Sequence, residues 1–405
     1  MAPTLATGCS RRRHAVVVID AGDRLSSLPD DILHTIMSFL PVWQAVQTCV
    51  LSRRWERLWC SMPCLNIDQQ EFEDCGRDRE GGGFEEFVNN LLMFHSAPSL
   101  DMFKFHVTHS YDYKVVDRWI RRGIKCCPAV VEICNSSNAH MYELPNFGSS
   151  ARRLKKLHLA VIALVKGFTQ HLPSACPVLE DLELDKCCLD YPEITSFSLK
   201  NLTLTDCTTC CGKVLTITTP ALVSFHLDIT AVGSDDIIVN GMPSLVKASL
   251  CLRYPPRTGR NLPEGPCKIL RNLSNLRNLE LSGSKTLSVL HGVLDIFPTF
   301  YNLRTLLFNG CDLSDDIQIL GCFLNNAPRL EKLTLQYCKV LRVFLNLPCK
   351  SHIFAILSSD YLHEHCLLPK ASRRFQEKEK NGKSEEDNYK MSGHANFAVS
   401  KLEVN

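Results

Sequence analysis

Leu179-Glu180-Asp181-Leu182-Glu183-Leu184-Asp185-Lys186-Cys187 is the stretch on which the fold turns. Leu182 and Leu184 alternate with Asp181, Glu183 and Asp185, and a period of two in an extended strand sends leucines to one face and carboxylates to the other. Leu179 three residues before and Cys187 three residues after frame the strand as L-x-x-L-x-L-x-x-C. One strand of this length cannot bury its leucine face alone, so the pattern has structural meaning only if it recurs.

It does recur. Leu199-Leu202-Leu204-Cys207, Leu303-Leu306-Phe308-Cys311 and Leu330-Leu333-Leu335-Cys338 keep the full form. Copies without the cysteine start at Leu154, Leu222, Leu245 and Leu276, and weaker ones begin near Leu100 (with Phe103 and Phe105) and Val130 (with Ile133). Successive clear copies follow one another at the spacing of leucine-rich repeats, with the longest step between Leu245 and Leu276. The expected architecture is therefore α/β: a solenoid over residues 100–350 whose strands stack into a parallel concave sheet with one continuous leucine core. Segments such as His171–Pro177 and Phe323–Pro328 close the return half of a repeat, because proline forbids further helix.

Composition narrows the function. Of 405 residues 45% are hydrophobic and 22% charged, which excludes wholesale disorder. Forty-five Lys plus Arg against 43 Asp plus Glu leave +2, so no global field draws the chain to nucleic acid or anionic lipid. No run approaches the ~18–20 apolar residues that span a bilayer, and neither a nucleic-acid nor a membrane partner is expected. The 21 cysteines cannot all pair internally. Arg11-Arg12-Arg13 precedes an apolar run, but Asp20 cuts that run too short for a secretory signal, so the chain is expected to be intracellular, nuclear and/or cytoplasmic, with reduced thiols.

The chemistry-bearing motifs are weak. Cys207-x-x-Cys210-Cys211, Cys187-Cys188 and Cys126-Cys127 lack a four-ligand spacing, and no metal is expected. Gly81-Gly82-Gly83 has no Lys-Ser/Thr behind it, no histidine sits in a catalytic motif beside a thiol, and neither a cofactor nor an enzymatic activity is expected.

Residues 25–60 read as three short helices. Asp30 is the expected N-cap of the first, with Ile32, Leu33, Ile36, Met37 and Leu40 as its apolar positions, and Pro41 stops it. Val42, Ala45, Val46, Cys49 and Val50 make a stripe on the second; Ser52 opens a third in which Trp55, Leu58 and Trp59 share a face. About 40 residues cannot bury that much apolar surface among themselves, so part of it is expected to meet a partner.

Leu28-Pro29-Asp30-Asp31-Ile32-Leu33, Phe39-Leu40-Pro41 and the block Cys49-Val50-Leu51-Ser52-Arg53-Arg54-Trp55-Glu56-Arg57-Leu58-Trp59 closely resemble an F-box of the kind found in plant F-box/leucine-rich-repeat proteins. The resemblance implies a non-catalytic subunit of an SCF-type ubiquitin ligase. Its F-box would dock a Skp-type adaptor, and through it cullin and RING subunits, while the repeats select an unidentified target protein for ubiquitination. The alternative is a leucine-rich-repeat scaffold or sensor whose helices bind something else. The adaptor surface is expected at Leu28, Pro29, Ile32, Leu33, Leu40, Pro41, Val46, Val50, Leu51 and Trp55.

The expected division is a disordered leader at 1–22, the F-box at 23–65, a linker at 66–99, the repeats at 100–350 and an irregular, largely disordered charged tail at 351–405. On the concave face the acidic triple Asp181, Glu183 and Asp185 is the expected contact for a basic element of the target. The segment from Arg253 to Lys268, with Arg257 and Arg260, is expected to form a basic edge.

Overall fold

The computed structural model describes residues 25–74, 82–136, 141–165, 167–209, 214–230, 237–253, 265–290, 297–314, 317–339 and 354–357. The expected leader, most of the expected tail, and Arg257 and Arg260 lie outside the described residues.

Two short helices, α1 (Asp30–Ser38) and α2 (Val42–Gln47), come first among the described residues. Twelve parallel strands then line up in one sheet among the described residues. They are β1 (Cys64–Asp68), β2 (Met102–Val107), β3 (Val130–Asn135), β5 (Lys156–Ala160), β7 (Asp181–Asp185), β10 (Asn201–Thr205), β13 (Ser224–Thr230), β15 (Lys247–Arg253), β16 (Asn278–Ser282), β17 (Thr305–Asn309), β18 (Lys332–Gln336) and β19 (Phe354–Leu357). The two weak copies near Leu100 and Val130 are full members, as β2 and β3.

Strand register turns the sequence repeat into rows. Leu157, Leu182, Leu202, Phe225, Ala248, Leu279, Leu306 and Leu333 stand side by side, and Leu159, Leu184, Leu204, Leu227, Leu250, Leu281, Phe308 and Leu335 form a second row. Every one of these side chains is buried, as are the leucines three residues upstream of each first-row position from Leu154 to Leu330. Burying a leucine contributes ~1.5–3 kcal/mol. The rows are thus a summed nearest-neighbour stabilisation, the energetic form of a solenoid.

Six strands, β5, β7, β10, β16, β17 and β18, leave the sheet through a left-handed corner. Val161, Lys186, Asp206, Gly283, Gly310 and Tyr337 all have positive φ there, from 49° to 88°. Their amide N–H groups are put to use: Val161 donates to Asp185, Lys186 to Thr205, Asp206 to Asp228, Gly283 to Asn309 and Gly310 to Gln336, all at 2.7–2.9 Å. A left-handed corner costs a β-branched residue such as Val161 ~1–2 kcal/mol, offset by this bond into the next repeat.

Repeat length selects the return element. Where the motif starts lie close together, from Leu179 through Leu199 and Leu222 to Leu245, the chain comes back as short strands. These are β8 (Cys188–Leu189), β9 (Glu193–Thr195), β11 (Thr208–Thr209), β12 (Leu215–Thr218) and β14 (Ile237–Asn240). With β4 (Tyr142–Glu143) and β6 (Ile162–Leu164) they build two small parallel sheets behind the core. The longer steps, from Leu245 through Leu276 and Leu303 to Leu330, have room for helices, α7 (Gly265–Asn272), α8 (Thr286–Leu290) and α9 (Ile317–Asn326). The intermediate step from Leu154 to Leu179 holds the single turn α6 (Leu172–Ala175).

Four expectations need correction. The third helix after Ser52 is a series of turns ending in a 3-10 turn at Leu58–Ser61, because the segment must bend round to bury both Trp55 and Leu58. Asp30 is the first helical residue rather than the cap, which falls at Pro29 without a side-chain bond. The region expected as a linker carries α3 (Gln69–Asp74) and α4 (Gly83–Phe94), with β1 at its start, so the sheet begins directly after the helices. Likewise β19, just beyond the expected end of the repeats, pairs in parallel with β18. An aromatic cluster of Phe72, Phe84, Phe105, Tyr111 and Trp119, with ring centroids 5.4–6.2 Å apart, packs these first helices onto the sheet.

Candidate functional site

Two surfaces concern function, and both follow from which residues the core leaves out. In α1, Leu33 and Met37 point inward, at 0% and 1% exposure, while Ile32 and Ile36 one position earlier remain 48% and 38% exposed. Phe39 at the end of α1 is 83% exposed, and Val50 84%. Leu51 and Leu25 are exposed as well.

The helices are held in this attitude by polar ties. Trp55, buried, donates its indole N–H to Ser26 Oγ at 3.0 Å, and Ser26 and Ser52 hydroxyls meet at 3.0 Å. Arg54 bonds the Ser26 carbonyl and Asp30 Oδ1, the latter at 2.5 Å, and this guanidinium holds the Asp30 carboxyl below its usual range. His34 Nε2 donates to the Leu58 carbonyl at 3.1 Å. Together these bonds pin the start of the segment to its end, leaving the outward stripe of α1 fixed.

Of the residues expected to meet the adaptor, Pro29, Ile32, Val50 and Leu51 are exposed, and Leu28, Leu40, Pro41 and Val46 are half-buried. Leu33 and Trp55 lie in the core and can only support the surface. Phe39 and Ile36 were not on that expected surface. The signal was present, since Pro29, Ile32, Ile36 and Phe39 recur at three- and four-residue steps, but the inner and outer stripes of α1 overlap in sequence.

The second surface is the open face of the sheet. Its middle row reads Lys104, Glu132, His158, Glu183, Thr203, His226, Ser249 and Glu280 across the strands. The acidic triple of β7 sits here, yet its charges are not alike. Asp181 lies between Lys156 Nζ, at 3.4 Å, and the Asn201 amide, which donates to it; Asp185 has Lys186 Nζ at 4.0 Å. Glu183 is exposed and, among the described residues, has no partner. A depression of about 290 Å³ lies beside it, lined by Glu132, Lys156, His158, Asp181, Asn201 and Thr203 among others.

Arg253 is not part of a free basic edge. It donates to Asp228 Oδ1 at 2.5 and 2.9 Å and to Asp206 Oδ1 at 2.8 Å, bridging two repeats, and the two carboxylates, Asp228 first, hold its guanidinium more firmly protonated.

At the other end of the sheet His106 bonds Asp68 Oδ2 at 3.0 Å and Ser136 Oγ at 2.8 Å. The line has the order of a hydrolytic triad, but the Ser136 amide is committed to the Val107 carbonyl at 2.8 Å and is not available to an oxyanion. Among the described residues no cluster of three His, Cys, Asp or Glu is placed to hold a metal ion. No described helix is long and apolar enough to cross a membrane.

The F-box domain family matches residues 25–66. The chain is 31% identical over 354 residues to the meiotic F-box protein MOF of Oryza sativa subsp. japonica, spanning 78% of this chain and 72% of that one. The chain belongs to the plant F-box/leucine-rich-repeat proteins. Two F-box/FBD/LRR-repeat proteins of Arabidopsis thaliana are each 29% identical, over 361 and 366 residues, covering 78% of this chain and 79% and 76% of theirs. As a member of this family the chain has an F-box adaptor role in a ubiquitin ligase, with its F-box binding a Skp-type adaptor. F-box/leucine-rich-repeat proteins are typically non-catalytic substrate adaptors.

Proposed function

We propose that the outward face of α1 and the Val50-Leu51 corner dock a Skp-type adaptor, and that the open sheet face around Glu183 receives the target protein. The exposure of Phe39, Val50, Ile32 and Leu51 on a segment whose core is already closed by Leu33, Met37 and Trp55 carries the adaptor half. A side chain of this size left in water forfeits ~1.5–3 kcal/mol of available burial, which a permanent partner recovers. Leu28, Pro29, Leu40, Pro41 and Val46 border that surface, and Leu33 and Trp55 hold it from beneath. The subunit contributes no bond chemistry of its own; it brings target and ligase together, with cullin and RING subunits reached through the adaptor.

The target half rests on Glu183. Asp181 and Asp185 are partly compensated within the sheet, so Glu183 is the free charge of the triple, and the depression beside it offers room for a basic side chain. A target with a basic element contacting Asp181, Glu183 and Asp185 fits this face, with binding weakened by salt. Co-purification tests both halves. A Leu28→Ala/Pro29→Ala variant should lose the adaptor; retention at the wild-type level sinks the adaptor assignment. Charge reversal at Asp181, Glu183 and Asp185 should abolish target capture while adaptor binding persists, and capture that survives moves specificity elsewhere.

A further inference from the structure

Helix α5 (Tyr113–Lys125) packs over the first repeats with Val116, Trp119, Ile120 and Ile124 buried. Its other faces carry Lys114, Arg118, Arg121, Arg122 and Lys125 against one carboxylate, Asp117, so this helix alone holds more positive charge than the net +2 of the whole chain. Gly123 sits directly over the Phe103 ring, where a Cβ would collide with it. The helix therefore lies close on β2, and a groove of about 540 Å³ remains between its C-terminal half and the end of α4.

That groove has a mixed lining. Leu65 and Leu92 are apolar; Arg118, Arg121, Arg122 and Lys125 supply cations against the single carboxylate of Asp117, and His95 closes one side. Arg121 is matched by Asp117 at 2.7 Å. Arg118 reaches only the Asn89 amide oxygen at 3.4 Å, and Arg122 only the Met93 carbonyl at 3.5 Å. Among the described residues neither of them, nor Lys125, has a carboxylate partner. Cations in a last helical turn complement the helix dipole, which accounts for Arg122 and Lys125 but not for Arg118 a full turn earlier. Exposed Met93 and Phe94, 54% and 57%, continue the surface at the end of α4.

We propose that this groove docks an anionic peptide segment of a protein partner, one with two or more carboxylate or phosphoryl groups beside an apolar side chain. Guanidinium pairs grip such groups through bidentate bonds, and the leucines and exposed α4 end take the apolar neighbour. Because the site is a recessed groove with an apolar floor, it suits a side chain better than a flat lipid surface. Its lining holds no Phe, Tyr or Trp, the rings that usually stack a base. The groove shares no residue with the adaptor or target surfaces above.

The test uses the full chain co-purified with a Skp-type adaptor and three labelled peptides, read by fluorescence anisotropy: a Glu/Leu peptide, its phosphoserine counterpart, and a Gln/Leu control. One or both anionic peptides should bind, more weakly as salt rises, and the control should not. Binding by the carboxylate peptide alone assigns carboxylates as the ligand, and by the phosphoserine peptide alone assigns phosphoryl groups. Arg118→Glu/Arg122→Glu/Lys125→Glu should weaken binding about tenfold or more with adaptor retained; if that variant misfolds, Arg118→Gln/Arg122→Gln replaces it. Equal binding by either variant, equal binding of the control, or preferential binding of phosphatidylserine vesicles or a short RNA overturns the proposal.

Discussion

The Cys187 thiol donates to the carbonyl oxygen of Leu159, in the preceding repeat, at 3.3 Å. Cys207 does the same to Leu184, Cys311 to Leu281 and Cys338 to Phe308, at 3.2–3.3 Å. The terminal cysteine of the motif is thus a repeat-to-repeat fastener: it fills the corner left by the left-handed residue before it and bonds a core carbonyl of the preceding repeat. Replacing Cys187 with Ala should cost about 1 kcal/mol through the lost thiol bond and the small void left at a buried corner. Chemical denaturation of the variant checks it.

Of these thiols, Cys187 and Cys311 should be chemically quiet. The neighbouring Cys338 thiol, and then burial, push Cys311 up, and Cys207 with burial does so for Cys187. Both side chains are almost fully buried. Alkylation at neutral pH followed by mass spectrometry should leave Cys187 and Cys311 unmodified in the native protein, since the thiolate is the reactive form. Modification of either at the rate of unfolded chain would contradict the fastener role.

Neighbours on α1 should behave oppositely. Leu33→Ala should lower stability by ~2–5 kcal/mol, as for other buried leucines. Phe39→Ala should leave the melting temperature of the isolated subunit within a few degrees of wild type yet weaken adaptor binding by ~2 kcal/mol or more. Calorimetry and adaptor titration separate the two effects.

Gly123→Ala should destabilise the fold, because the new methyl group meets the Phe103 ring and the helix must lift from β2. Overpacking of this kind costs ~1–3 kcal/mol. A double variant with Phe103→Leu should recover part of the loss, measured by thermal unfolding.

The Asp68–His106 pair predicts a pH window. The hydrogen bond to Asp68 raises the His106 pKa against burial; on the carboxylate, burial alone pushes the Asp68 pKa up, but the bond and charge of His106 together with the Glu71 and Gln70 backbone N–H groups outweigh it and the net shift is downward. A raised histidine stabilises fully below its unfolded value near ~6.5 and loses that contribution as pH climbs through the folded value. A depressed aspartate contributes above its unfolded value near ~3.9 and loses it as pH falls through the folded one. Stability from the pair therefore peaks between those limits, and His106→Gln should flatten the profile there by ~1 kcal/mol or less. Urea midpoints across pH 4 to 8 test the window.

Much of this was legible in local sequence. The L-x-L alternation dictates strand faces, and its spacing dictates whether a repeat returns as strand or helix. A short step such as Leu179 to Leu199 cannot hold both a corner and two or three helical turns, whereas the long step from Leu245 to Leu276, which carries α7, can. Phe103 and Ile133 were recognisable as weak members because the same alternation persists without leucine. Harder to see was β1, since Leu65-Asn66-Ile67 alternates only briefly and merges with the end of the helical segment.

The sequence by itself determined the repeat period, the buried rows, the cysteine corners and the F-box block, because each rests on residues near one another along the chain. Tertiary structure alone decided that Ile32 and Phe39 face outward while Leu33 and Met37 face in. It also decided that Asp181 is already met by Lys156, and that Arg253 is engaged by Asp228 and Asp206. Those pairings join residues 25 to 47 positions apart, brought together by the register of stacked strands. Charge compensation across such distances depends on how repeats are aligned, which no local pattern encodes.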